Sequence, residues 1–258
     1  MHDRFFIDRI GISKVSLGDV LGILETCTRN RRFGYVCVTN SRTVYLANHD
    51  SVYCSIQNNS LLTVPDGIPL VWIAHNLGYQ GVEKVSGKTL MDELFRLSET
   101  KGYSHYFFGS TTESIEKMQD NIRRTYGELD IKGAVSPPFQ PIDAFDVEAI
   151  ARDINRVRPT FFWCGLGAPK QELLMARLQP LLEETFCMGV GLAFEYFAGT
   201  VRRAPDWMQR TGLEGVYRIL QQPGRVNVQS LKMWLSTLPV LLRTFILKNN
   251  AETGKGDI

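Results

Sequence analysis

Nowhere in the 258 residues is there an unbroken apolar run of 18 or more, so no segment reads as a membrane-spanning helix. The opening stretch, MHDRFFIDRIGI, has no apolar core behind a basic tip, so no signal peptide is expected. Cysteine is sparse and odd in number: Cys27, Cys37, Cys54, Cys164 and Cys187 include no C-x-x-C pair, which argues against a disulfide frame or a structural zinc and for reduced core thiols. No D-x-D pair follows a strand-like run, so the usual way of bridging a metal to a diphosphate is missing and no metal is expected. A full G-x-G-x-x-G with an acid about 20 residues on is also missing, which weighs against a dinucleotide-dependent oxidoreductase; no cofactor is expected. The four histidines, His2, His49, His75 and His105, show no catalytic spacing with a Ser, Cys or carboxylate. Long basic runs are lacking as well, and a net charge of +2 gives no reason to expect a nucleic-acid partner.

What is present is the composition of an ordinary globular protein, 44% hydrophobic and 22% charged. The length allows one large domain or a domain with an appendage; we expect an α/β catalytic domain over residues 1–200 and an appendage over 201–258. Apolar runs alternate with amphipathic ones throughout. Arg4 to Ile12 reads as a strand, Ser16 caps a helix, and Gly34-Tyr35-Val36-Cys37-Val38 is a buried strand ending at Thr39-Asn40-Ser41. Thr43 to Asn58 has helical periodicity, and Leu61-Leu62-Thr63-Val64 is a second strand running into Pro65-Asp66-Gly67 and a helix from Ile68. Further on come a helix over Lys88 to Glu99, a central strand at Ser104 to Phe108, a helix from Thr112 to about Tyr126, a strand near Leu129 to Ala134 and a helix over Val147 to Val157. Pro137-Pro138-Phe139-Gln140-Pro141 is a loop placed to cover a site. Strands alternating with helices predict a Rossmann-like, mainly parallel sheet with helices on both faces.

The chain is organised around 161–210. Phe161-Phe162-Trp163-Cys164 is a strand buried on both faces that stops at Gly165-Leu166-Gly167, with Pro169, Lys170 and Gln171 on the following first helical turn. A second copy follows, Phe186-Cys187-Met188 ending at Gly189-Val190-Gly191. Two strand ends of this kind on one edge of a parallel sheet offer helix N-termini and closely approachable backbone to an anion such as a diphosphate. The alternative is two ordinary tight turns. Asp66 reads either as a helix cap or as a carboxylate aimed at that edge, and Asn40 either as a turn former or as an amide for sugar hydroxyls.

The ordered strings G-L-G-A-P-K-Q-E, then G-V-G-x-A-F-x-x-x-A-G-x-V-x-R-A-P-x-W-M-Q-R, then G-L-E-G-V-Y-R-I-L-Q-Q-P-x-R, with Asn40-Ser41-x-x-Val44-Tyr45-Leu46-Ala47 and Leu62 to Ile68, resemble the WecG/TagA/CpsF glycosyltransferases, glycosyltransferase family 26. The resemblance spans about residues 5 to 230. It implies an inverting, metal-independent transfer of a hexose or N-acetylhexosamine from a UDP-sugar to a polyprenyl-diphosphate-linked saccharide in bacterial surface polysaccharide assembly. It makes Asp66 the general base and assigns Thr39, Asn40, Gly67, Gly165, Gly167, Lys170, Gln171, Glu172, Gly189, Gly191, Arg218 and Arg225 to the donor. Many relatives carry T-x-N where this chain has Val38-Thr39-Asn40, which leaves glucose, N-acetylmannosamine and its uronic acid all open as the donor sugar. Arg202, Arg203, Arg210, Arg218 and Arg225 are candidate diphosphate clamps, since guanidinium groups pair bidentately with phosphate and stay charged. Residues 231–248, LKMWLSTLPVLLRTFILK, read as a helix lying at the membrane surface or as one packed on protein. The expected location is cytoplasmic, peripheral at the inner face of the membrane. The competing readings are a Rossmann-type oxidoreductase and a non-catalytic nucleotide-sugar binding module.

Overall fold

The computed structural model describes residues 2–215, 217 and 238–252. Six strands form one parallel sheet: β3 (Tyr35–Thr39), β4 (Leu62–Pro65), β5 (Ser104–Gly109), β6 (Asp130–Val135), β7 (Phe161–Gly165) and β8 (Phe186–Gly189), in the order β4-β3-β8-β7-β5-β6. The interior strands are almost wholly apolar because helices cover both faces, as parallel sheets require.

Which helix covers which face follows from the right-handed crossover rule. The chain moves in one direction along the sheet from β3 to β4, β6 to β7 and β7 to β8, through α2 (Ser41–His49) and α3 (Ser51–Asn59), α7 (Val147–Val157) and α8 (Lys170–Leu178). These share a face: Ile154 and Leu174 pack with Tyr106 and Phe162, and α3 lies against α8. It moves the other way from β4 to β5 and β5 to β6, through α4 (Ile68–Asn76), α5 (Gly87–Lys101) and α6 (Thr112–Tyr126), and α5 and α6 cover the opposite face. There Phe95 and Met118 bury against Phe107 and Trp163, joined by α1 (Leu17–Arg29) and α9 (Ala193–Ala198).

Two local expectations need correction. The first strand-like stretch is a hairpin, β1 (Arg4–Ile7) and β2 (Ile10–Ser13), turned at Asp8 with φ 53°, a conformation that Asp tolerates and that continuous alternation conceals. The helical stretch after Asn40 is two helices, because Asp50 ends α2 and its Oδ1 accepts from Val52 N and Tyr53 N to start α3. The hairpin, α2, α3 and α4 enclose a third core of Phe5, Ile12, Val44, Tyr53, Leu70 and Ile73.

His105 stands inside the sheet with no exposure. Its Nδ1 accepts from Trp163 Nε1 at 3.0 Å and its Nε2 lies 2.8 Å from Ser98 Oγ, so both ring nitrogens are used in the core. Burial lowers its pKa to about 3 and keeps it neutral. Burial likewise pushes the Cys37, Cys164 and Cys187 thiols up, consistent with structural cysteines.

Candidate functional site

Because all six strands run parallel, their carboxyl ends share one edge, where open α/β sheets carry ligands. At one side of it, Asp66 N donates to Thr39 O at 2.6 Å and Val85 N donates to Pro65 O at 2.8 Å. The aspartate turn is thereby fixed between the end of β3 and the segment that leads into α5. Gly67, not Asp66, occupies the N-cap of α4, and Pro69 sits in that helix's first turn. Asp66 is half-buried. Asn40 caps α2: its Oδ1 accepts from Arg42 N at 3.0 Å and Thr43 N at 3.3 Å. The Thr39 hydroxyl turns inward and donates to Gln57 Oε1 at 2.8 Å, so this position offers the edge its backbone.

The two glycine loops lie side by side, and Gln171 on the first turn of α8 joins them. Its Oε1 accepts from Gly167 N at 3.1 Å, and its amide passes under Gly189, where an added Cβ would lie 3.1 Å from Nε2 and 2.7 Å from Met175. The absent side chain at 189 is what admits the latch. Pro169 stands at the N-cap of α8, one residue earlier than its place in the sequence reading. Lys170 reaches sideways: its Nζ donates to Gln140 O at 2.9 Å and sits 4.3 Å over the ring of Phe139, which is fully exposed. Ser136 Oγ donates to Ser110 O at 2.9 Å. The proline-rich loop is thus tied to Ser110, just after β5, and to Lys170, at the start of α8.

Glu172 is buried completely, with no face open to a donor. Its Oε1 accepts from Gln171 Nε2 at 2.8 Å, and Oε2 has no bonding partner. Burial raises its pKa, offset in part by the Gln171 amide, its own backbone N–H and the Tyr53 hydroxyl. Tyr53 in turn accepts from Gln57 Nε2 at 2.9 Å. The buried side chains of Thr39, Gln57, Tyr53, Glu172 and Gln171 thus form a polar layer between the aspartate side of the edge and Gly167 on the glycine side, bonded as Thr39–Gln57–Tyr53 and as Glu172–Gln171–Gly167. The sequence reading missed Tyr53 and Gln57; four residues apart on a helix, they signalled only one inward face.

Glu195 on α9 was not singled out from the sequence. Its carboxylate accepts from Ser110 Oγ at 2.5 Å and Ser114 Oγ at 3.1 Å, with Thr200 also bonded, and ties the β5 loop to the second glycine loop. A cavity of about 330 Å³ opens beside the aspartate turn between Ile68, Lys84, Thr89 and α10 (Asp206–Arg210), with Arg203 and Arg210 in its wall. Those two arginines were grouped in the sequence with the donor clamps; here they line a space of their own. Arg202 is exposed. Arg218 and Arg225 lie outside the described residues, as do 218–237, which include the first part of the expected surface helix. Its later part, α11 (Leu238–Glu252), packs on α4 with Val240 and Leu241 against the third core, while Leu242, Phe245 and Ile246 are exposed. Among the described residues no helix is long and apolar enough to cross a membrane, and no group of three or more His, Cys, Asp or Glu is placed to hold a metal.

A parallel sheet carrying paired glycine loops and an acid-bearing turn on one edge fits an α/β transferase, and comparison with known proteins makes the class specific: this is a glycosyltransferase. Residues 6–251 match the model of the glycosyl transferase WecG/TagA/CpsF family, and the chain belongs to that family. A relative in Bacillus subtilis (strain 168), an N-acetylglucosaminyldiphosphoundecaprenol N-acetyl-beta-D-mannosaminyltransferase, is 26% identical over 211 residues, 81% of this chain and 80% of the relative. A protein of the same name in Staphylococcus aureus (strain MW2) is 27% identical over 193 residues, 75% of this chain and 74% of that one.

Proposed function

We propose that the enzyme transfers a hexose or N-acetylhexosamine from a UDP-sugar to a polyprenyl-diphosphate-linked saccharide in bacterial surface polysaccharide assembly, with inversion and without a metal. The relatives' names supply the acceptor class, a lipid-diphosphate-linked N-acetylglucosamine, and N-acetylmannosamine as the transferred sugar. The observation that carries the reading is the shared edge: Asp66 is pinned to the end of β3, the strand hydrogen-bonded to β8, which ends in the second glycine loop.

In this mechanism the donor's diphosphate lies against the glycine loops at the N-terminal end of α8, whose dipole favours an anion; the Gly167 N–H stays with Gln171 and those of Val190 and Gly191 stay with Cys164 O. Asp66 takes the proton of the acceptor hydroxyl as its oxygen forms a bond to the anomeric carbon from the face opposite the diphosphate. The bond from the anomeric carbon to the diphosphate oxygen breaks, and UDP leaves with the electron pair. Thr39, through its carbonyl, and Asn40 hold the base side of the pocket; Gly67 frees the turn; Gly165, Gly167, Gly189 and Gly191 form the donor side; Lys170 and Gln171 fix the flanking loops; Glu172 acts from beneath; Arg218 and Arg225 neutralise the leaving diphosphate.

The exposed Leu242, Phe245 and Ile246 on α11 and Trp207 on α10 support peripheral contact with the cytoplasmic face of the membrane through the appendage, 201–258. UDP release is the test. UDP-glucose, UDP-N-acetylmannosamine and its uronic acid, each assayed with a short polyprenyl-diphosphate sugar, should give turnover with one of them; no UDP release from any donor across acceptors, or transfer without UDP as product, would overturn the reading.

A further inference from the structure

The cavity beside the aspartate turn is lined differently from the glycine edge, with Lys84, Arg203 and Arg210 in its wall. Arg203 Nη2 donates to two neutral oxygens, Ser86 Oγ at 3.0 Å and Thr89 Oγ1 at 3.4 Å, while its Nε is buried without a partner. Among the described residues no ion pair includes Arg203 or Arg210. Lys84 in the same wall is matched by Glu214 at 2.5 Å, and Asp206 is the acid of the lining, so the two guanidinium groups outweigh the single unpaired carboxylate. A buried guanidinium N–H with no acceptor carries a desolvation cost that a phosphate oxygen would relieve.

The position of the cavity says which anion. Ile68 lines it and follows Asp66 by two residues, so the two Cα atoms lie within about 7.6 Å, roughly the span of one sugar ring. The first residues of α5 divide the space: a Cβ at Gly87 would meet Val190 O of the second glycine loop at 2.9 Å, whereas Ser86 meets Arg203. An inverting displacement puts the attacking hydroxyl and the leaving diphosphate on opposite faces of the anomeric carbon. The acceptor therefore belongs on the side of the base, away from the glycine loops. Beyond the cations the surface turns apolar: α10 carries Trp207, 60% exposed, α4 carries Trp72, 42% exposed, and Gly212 packs near the Trp72 ring. A cationic cavity flanked by exposed indoles suits a ligand with a charged head and a hydrocarbon tail.

We propose that this cavity, through Arg203 and Arg210, seats the diphosphate of the polyprenyl carrier on the acceptor, separately from the donor diphosphate, with the prenyl chain leaving past Trp207 and Trp72. The proposal rests on the reading of the acceptor as a lipid-linked diphosphate saccharide.

The test is binding of farnesyl diphosphate and of UDP to the full chain, measured on the wild type and on Arg203→Gln and Arg210→Gln. Each substitution should weaken farnesyl diphosphate about 10- to 100-fold and leave UDP within about twofold, and farnesyl monophosphate should bind the wild type more weakly than the diphosphate. Unchanged farnesyl diphosphate binding in both variants overturns the proposal, as does a loss confined to UDP, which would make the cavity part of the donor site. Arg210 is exposed, so its substitution keeps the test valid if Arg203→Gln fails to fold. The two claims fail separately: a wild type that transfers sugar with an acceptor KM unmoved by either substitution overturns this proposal alone, whereas a wild type that shows the expected binding pattern but transfers nothing overturns the reaction alone.

Discussion

Replacing Gln171 with Leu probes the latch between the two glycine loops. The substitution nearly conserves volume and removes two bonds, the 3.1 Å acceptor for Gly167 N and the 2.8 Å donor to Glu172 Oε1. Gly167 is only half-buried and its N–H can recruit water, so that loss is small. Glu172 cannot: it has no exposure, Oε2 is already unpartnered, and the Gln171 amide is the side chain that bonds Oε1. Orphaning a buried polar group costs about 1–3 kcal/mol, so the total should be about 2–3 kcal/mol. For a chain of this size that lowers the melting temperature by roughly 5–10 °C. Freed of the latch, the 165–167 and 189–191 loops should also bind UDP more weakly, by about tenfold. A double-mutant cycle sharpens the assay. Glu172→Leu removes the acceptor itself, so Gln171→Leu made in that background should cost clearly less than in the wild type. Additive costs, or Gln171→Leu with a wild-type melting temperature and wild-type UDP affinity, would show that Gln171 does not latch the two loops.

The neutral core histidine predicts acid sensitivity. His105 is held near pKa 3 when folded against 6.5 in the unfolded chain, so the unfolded state binds the extra proton first and stability falls as pH drops below 6.5. At pH 5 this amounts to about 2 kcal/mol, and denaturant titrations should show a flatter profile between pH 7 and 5 for His105→Gln. The two glycine strand ends should rank differently. A Cβ at Gly189 meets the flexible end of Met175 and should cost about 1–3 kcal/mol, whereas Gly109, with φ 135°, meets Gly165 backbone at 2.6 Å and should cost more in the same measurement. Phe245→Glu with Ile246→Glu should abolish sedimentation with anionic phospholipid vesicles while leaving the melting temperature unchanged, since both side chains are exposed.

The sheet was legible because burial on both faces leaves nearly continuous apolar runs, as in Phe161 to Cys164, and because strands punctuated by amphipathic helices admit few topologies. Adjacency of the two glycine loops followed from two strands in quick succession, and β7 does pair with β8. What stayed hidden depends on partners far apart in the chain. Gln57 looks like any inward helix residue until Thr39 is found against it, 18 residues away, and Arg203 looks like one arginine of several until Ser86 and Thr89 close on it. Glu172 shows the same limit in reverse: its place in a motif pointed to the ligand, and the fold buries its carboxyl completely, with the Gln171 amide on Oε1. The hairpin at Asp8 was missed because a strand and a tight hairpin share one alternation.

For the acid on the turn between β4 and α4, the decisive measurement is turnover beside UDP affinity for Asp66→Asn. If Asp66 is the base, kcat falls on the order of 10²–10⁴-fold with UDP binding unchanged; near wild-type turnover would remove Asp66 from that role.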